Sequence, residues 1–199
     1  EDILPKTDNV RNMKNLKLSP VVRRLASENN IDLNNVIGTG QNIIYPKIGQ
    51  HVDHEAELAL VISKVSKNIS RENWTEHVLG LTAANDLSER VLQGKTGHFT
   101  RAKGFDTFCP LGPFIQTEFT NNPELNIKAF VNGELKQDGN SRDMIYSIGE
   151  ILEFVTSIMT LLPGDVVMTG TPEGVSQVKP GDEIKIEIET LGTLINSVE

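Results

Sequence analysis

Cysteine and aromatic residues are scarce in this 199-residue chain: it has one cysteine, one tryptophan and two tyrosines, and aromatics make up only 5%. A single Cys109 excludes an internal disulfide and accords with a reducing compartment, so a cytoplasmic location is expected. No run of about 18 apolar residues occurs, which argues against a membrane-spanning helix. The first residues lack a basic stretch followed by an apolar one, so no secretory leader is read there. Positive charge is also short, with 19 Lys/Arg against 27 Asp/Glu and a net charge of −8. The deficit is uneven: residues 1–43 hold six basic against five acidic groups, and the remainder holds 13 against 22. An acidic body repels phosphate backbones and anionic lipid, so neither nucleic acid nor a membrane is an expected partner.

Turn formers, by contrast, are plentiful. Sixteen glycines and nine prolines punctuate the chain and point to a mainly β fold with a few helices. Residues 1–16 read as a polar linker. Ser19-Pro20 opens a short helix striped by Val21, Val22, Leu25 and Ala26, with Arg23 and Arg24 off the stripe. Past Asn42 strands and turns take over. Residues 55–62 alternate, with Ala56, Leu58, Leu60 and Ile62 on one side and Glu55, Glu57, Ala59 and Val61 on the other. A short helix capped by Ser70 is predicted over 71–78, and a strand over 79–85 ending at Asp86. Asn132-Gly133 marks a hairpin between 127–131 and 135–137. Ser147 and Glu150 form a capping box for a helix over 148–159, whose stripe is Ile148, Ile151, Leu152, Val155, Ile158 and Met159. Pro163-Gly164 turns into a strand over 165–169, Glu183–Glu189 points Ile184, Ile186 and Ile188 inward, and 193–198 is its expected partner.

Several residues could carry chemistry. Glu55 and Glu57 are two apart on one strand, so their side chains share a face roughly 6.5–7 Å apart at the Cα atoms. Such a pair is ordinarily a solvent-washed outer face; the alternative is that a cation bridges it. Asp86, at the end of an apolar strand, is either a third carboxylate for a hard-cation site or a cap for the turn from Leu87. An all-oxygen set suits Mg²⁺, Mn²⁺ or Ca²⁺. His51 and His54 fall on opposite strand faces and read as surface histidines. Lys103 reads as a solvated loop lysine unless the neighbouring apolar stretch buries it. Cys109 reads as a packed thiol. The glycines of Gly170-Thr171-Pro172-Glu173-Gly174 permit backbone N–H groups to approach an anion, although a tight turn needs no more than this.

Taken in order, seven segments resemble the fumarylacetoacetate hydrolase family. They are Ile44–Lys47, Val52-Asp-His-Glu-Ala-Glu-Leu-Ala59, Ala84-Asn-Asp-Leu-Ser-Glu-Arg90 with Gln93, Lys103–Pro113, Val131-Asn-Gly-Glu134, Leu162-Pro-Gly-Asp165 and Thr169-Gly-Thr-Pro-Glu-Gly-Val175. The likeness covers about residues 43–199. It implies a mixed β-roll, a homodimer, and a Mg²⁺ or Mn²⁺ ion held by Glu55, Glu57 and Asp86. It also implies a catalytic, substrate-contacting Lys103, with Gln93 and Thr171 in the substrate pocket and Thr171 receiving a carboxylate. The implied activity is that of a hydrolase, isomerase or decarboxylase acting on a 2-oxo or 1,3-diketo acid through a metal-stabilised enolate. The family's lid carries a His-x-x-Glu pair; none precedes Glu55 here, and His54 with Glu57 has the spacing but shares a residue with the metal set.

Residues 17–42 look different. Leu18–Ala26, Ile31-Asp-Leu33 and Gly38-Thr-Gly40 are similar to part of the peripheral subunit-binding domain of dihydrolipoyl acyltransferases. That resemblance implies a second possibility, a catalytically impaired hydrolase-like binding module docked to a 2-oxo acid dehydrogenase complex through Arg23 and Arg24.

Overall fold

The computed structural model describes residues 37–97 and 99–199. These form three sheets. One has the order β5 (Leu111–Gln116), β3 (Val78–Asn85), β2 (Ala56–Ile62), β8 (Val166–Met168). The second runs β11 (Gly192–Ser197), β10 (Glu183–Ile188), β6 (Asn126–Val131), β7 (Glu134–Asn140). A small third sheet joins β4 (Ser88–Glu89), β1 (Val52–Asp53) and β9 (Gln177–Val178). The strand pairs are antiparallel, and a parallel bridge links Ile43 to Val198. The architecture is mainly β with helices, as the turn-rich composition implies.

The two four-stranded sheets pack on each other, β2 against β6, β3 against β10 and β5 against β11. Ala56, Leu58, Leu60 and Ile62 of β2 meet Ile184, Ile186 and Ile188 of β10 in one apolar cluster. Burying each isoleucine contributes about 1.5–3 kcal/mol. β10 keeps the expected alternation, whereas β2 is buried at every position, because β3 and β8 flank it and both of its faces are covered. The expectation that the Glu55/Glu57 side is washed by solvent is therefore overturned.

Local signals fare unevenly. The Asn132-Gly133 turn forms with both residues at positive φ, 51° and 80°, as a two-residue hairpin requires. The Ser147/Glu150 capping box forms and starts the helix Ile148–Ile158. Ile148 and Leu152 of its stripe are buried and Val155 packs against the core, but Ile158 and Met159, at the end of the helix and just past it, are exposed. Residues Arg71–His77 form a 3₁₀ helix, and Ser70 makes no side-chain cap. Trp74 on this segment packs near the helix Ile148–Ile158 and stacks on Phe119 at 5.6 Å.

The proposed boundary after residue 42 is not marked by a break. Ile37 is in the core, Gly40 N–H donates to Ile195 O, and Ile43 N–H donates to Ser197 O. The helix read over residues 19–28, with Arg23 and Arg24, lies outside the described residues.

Candidate metal and active site

Two separated segments converge. Glu55 immediately precedes β2, Glu57 lies within it, and Asp86 follows β3, the strand hydrogen-bonded alongside. The register pairs Glu57 with Ala84, and Asp86 N–H donates to Glu55 O at 2.9 Å, which pins the two chain segments together at the site. One carboxylate oxygen from each of Glu55, Glu57 and Asp86 lies within 4.8 Å of the other two, and all three residues are buried. Asp86 caps no helix; Glu89 does that for the helix Arg90–Thr96.

Two cations face these acids. Lys103 Nζ donates to Glu55 Oε2 at 2.9 Å and also to Asp86 Oδ2. The loop reading of Lys103 is thereby replaced: it ends the helix Phe99–Lys103, which carries it into the cluster. Arg90 spans Asp53 and Glu55, with Nε 2.8 Å from Asp53 Oδ2 and Nη2 bonded to Glu55 Oε1, and its Nη1 reaches Gln93 Oε1 at 3.0 Å. Asp53 in turn accepts from or pairs with His51 Nε2 at 2.8 Å.

Four buried carboxylates, Asp53, Glu55, Glu57 and Asp86, thus share two basic side chains, Arg90 and Lys103. Glu57 comes off worst. Burial pushes its carboxyl up to about 7, against a single hydrogen bond from Gly170 N–H at 2.7 Å. Burial also raises Asp86 above the ordinary carboxylate range, despite its bonds to Lys103. For Lys103 burial acts to lower the pKa, but hydrogen bonds to Asp86 and Glu55 outweigh it and the group stays above its ordinary value. A buried, all-carboxylate cluster with more negative than positive charge fits a hard divalent cation, and Glu55, Glu57 and Asp86 are the residues that would hold it.

Other expected residues fall nearby. Gln93 sits on the helix Arg90–Thr96, tied to Arg90. Thr171 is at the site's edge; its hydroxyl donates to Ala56 O and accepts from Gln137 Nε2, both at 2.8 Å. The glycine loop does approach an anion, but that anion is the protein's own Glu57. Cys109 is partly buried, 3.9 Å from Met168 Sδ, and burial pushes its thiol up to about 11. His54, expected at the surface, is fully buried, because the segment at Ser176 lies against it: its N–H donates to Ser176 O at 3.2 Å and its Nε2 meets Ser176 Oγ at 3.0 Å. Burial lowers its pKa. His54 and Glu57 are therefore each engaged elsewhere. Reading the residues alone did not single out Asp53, Asn85, Arg90 or Gln137. Asn85 Oδ1 accepts from Glu55 N–H at 3.0 Å, and Gln137 Oε1 from Ala56 N–H at 3.0 Å. Asp53, Asn85 and Arg90 fall within the segments that resemble the family, whereas Gln137 lies on a polar strand, outside those segments.

The family model described as "Fumarylacetoacetate (FAA) hydrolase C-terminal" matches residues 9–199. The chain belongs to the fumarylacetoacetate hydrolase family. It is 42% identical over 174 residues to the oxaloacetate tautomerase FAHD2B, mitochondrial, of Bos taurus, a match covering 82% of this chain and 55% of that protein. A 5-carboxymethyl-2-hydroxymuconate delta-isomerase from Mycobacterium smegmatis superposes with a TM-score of 0.80 at 42% identity, covering 83% of this chain and 65% of that one. A maleylpyruvate hydrolase from Sphingobium sp. SYK-6, solved with manganese(II) and pyruvate, gives 0.75 at 36%, covering 83% and 61%. The chain spans 66% and 64% of the length of two further curated relatives from Methanocaldococcus jannaschii and Archaeoglobus fulgidus.

The family match runs through residues 17–42, so the segment set apart as a subunit-binding domain falls inside the hydrolase match. The resemblance to a peripheral subunit-binding domain, and with it the dehydrogenase-complex partner, is not supported. No helix among the described residues is long and apolar enough to cross a membrane.

Proposed function

We propose that this chain is a divalent-metal-dependent enzyme that acts on a 2-oxo or 1,3-diketo carboxylic acid by way of an enolate. The observation that carries the reading is the convergence of Glu55, Glu57 and Asp86 within 4.8 Å, with the Lys103 ammonium against two of them. Mg²⁺ and Mn²⁺ both suit this donor set. When bound, such an ion supplies Lewis-acid polarisation of a keto oxygen.

The chain's own residues do the rest. Lys103 brings a fixed positive charge to the place where an oxyanion would develop, and holds it there through Glu55 and Asp86 instead of through solvent. Gln93 and Thr171 flank the cluster and are the proposed contacts for the remainder of the substrate, Thr171 for its carboxylate. Thr171 has one proton, now given to Ala56 O, so it would receive a carboxylate by turning that proton away from the strand. Burial of the carboxylates keeps bulk water from screening these charges.

An enolate leads to tautomerisation, isomerisation, decarboxylation or carbon–carbon hydrolysis, depending on where the proton returns and whether water attacks. The similar proteins include a tautomerase, an isomerase and a hydrolase, which supports the shared intermediate more than any one product. The test is a screen of oxaloacetate, acylpyruvates and hydroxymuconate-type acids with and without Mg²⁺ or Mn²⁺. Metal-dependent turnover is expected for at least one, and loss of that turnover in Lys103→Ala with folding retained assigns the lysine its role. Turnover that persists unchanged in EDTA would defeat the reading.

A further inference from the structure

We propose that Gln137, on β7 of the opposite sheet, is a positioning residue that keeps Glu57 aimed at Glu55 and Asp86; this rests on the functional reading above. Gln137 is fully buried and uses its whole amide. Oε1 accepts from Ala56 N–H at 3.0 Å, the peptide between the two glutamates. Nε2 donates to Thr171 Oγ1 at 2.8 Å and to Pro172 O at 2.7 Å. A backbone N–H can only donate and a carbonyl can only accept, so the orientation of this amide follows from its partners. One side chain therefore clamps the glutamate strand to the 170–172 loop.

That loop is what holds Glu57, through Gly170 N–H and Glu57 Oε2 at 2.7 Å. The path from Gln137 to the carboxylate is two hydrogen-bonded links joined by the backbone of Gly170–Pro172. Backbone packing shows the same seat. A Cβ on Gly174, which sits at φ +98°, would lie 2.1 Å from Lys136 O, and one on Gly139 would lie 2.6 Å from Pro172 Cβ. The loop rests on β7 at a distance only glycine allows, on either side of Gln137. Without the two amide donors, the partly buried Pro172 carbonyl has less to hold it, and the loop gains freedom where Glu57 needs it least.

The test measures Mn²⁺ itself, by calorimetry and by the electron paramagnetic resonance of the bound ion, on the full chain. Gln137→Glu keeps an acceptor for Ala56 N–H and sets an oxygen against Pro172 O; Gln137→Met keeps the size and removes every polar atom. Each is expected to raise the Mn²⁺ dissociation constant at least tenfold and to broaden the resonance. Leu152→Ala, in the remote helix Ile148–Ile158, is the control: it lowers Tm and leaves Mn²⁺ affinity within twofold. Folded Gln137 variants with affinity within twofold of wild type would overturn the proposal. Should neither fold, Thr171→Val cuts the clamp from its other end, and an increase below threefold overturns it. A wild-type protein that does not bind Mn²⁺ overturns the functional reading instead, and is told apart because the failure precedes any substitution.

Discussion

β2 and β10 are written in the same script and do opposite things. Glu55-Ala-Glu-Leu and Glu183-Ile-Lys-Ile-Glu-Ile both alternate charge with aliphatic residues, and the even positions of both enter the same core. The other face of β10 is open, leaving Lys185 and Glu187 half-exposed at 32% and 40% of their side-chain area. The other face of β2 is closed by the loop after β8 and by the helix that brings Lys103, and there Glu57 is 4% exposed. Alternation states which residues share a side; it carries no information on whether the second side meets water. A carboxylate on a covered face has to be compensated, and that requirement turns a strand pattern into a metal site.

The largest test of this contrast removes the covered carboxylates. Glu55→Ala and Asp86→Ala are each expected to abolish the calorimetric heat of Mg²⁺ and Mn²⁺ binding and to lower turnover about 10³-fold, since Lewis-acid stabilisation is worth several kcal/mol. Heats that survive both substitutions would mean that the acids of β2 are as idle as those of β10.

The shared core face comes next. Ile186→Ala on β10 leaves a cavity among Leu58, Leu60 and their neighbours and is expected to cost about 2–5 kcal/mol in chemical denaturation, with unchanged Mn²⁺ affinity per folded molecule. A change in affinity would show that the core transmits strain to the site and that the two faces of β2 are not independent.

How much of this was legible follows the same division. Elements set by local chemistry could be read: the Asn132-Gly133 turn, the Ser147/Glu150 box and the inward isoleucines of β10 each depend on a few neighbouring residues. What depends on distant chain could not. His54 is buried where Ser176, 122 residues away in sequence, meets it, and the cover over Glu57 comes from Gly170. The convergence of Glu55, Glu57 and Asp86 was legible from the residues as one of two open readings, and resemblance to a family was needed to choose it, because no periodicity links a residue before β2 to one after β3. Gln137 carried no signal, since a glutamine at a strand position is usually exposed.

A third glutamate separates burial from want of partners. Glu89 is as buried as Glu57, and burial acts to raise its pKa, but N–H groups of Leu92, Gln50 and His51 bond to its carboxylate and hold it below the ordinary value. A depressed folded pKa contributes stability that is present above the unfolded value near 4.5 and is lost as pH falls through the folded one. Glu89→Gln is expected to cost about 1–2 kcal/mol at pH 7, and the difference from wild type should shrink below about pH 4.5. A deficit that stays constant down to pH 3 would show that the side chain acts by shape and not by charge.

The smallest effect is the most exacting test of the open face. Glu187 pairs with Lys185 at 2.8 Å, and Lys185 lies 4.1 Å from the centre of the Phe130 ring. In the sequence this is the counterpart of Glu57, a glutamate two residues from another charged group on an alternating strand. Its partner is at hand, water reaches both, and such pairs are worth about 0–1 kcal/mol. Glu187→Gln is therefore expected to move the denaturation midpoint by less than about 0.5 kcal/mol equivalent and to leave metal binding untouched. A loss above about 1.5 kcal/mol would require the pair to be shielded from water in solution. The outer face of β10 would then be covered as that of β2 is, and the distinction between an idle acidic strand and a working one would have to rest on partners alone.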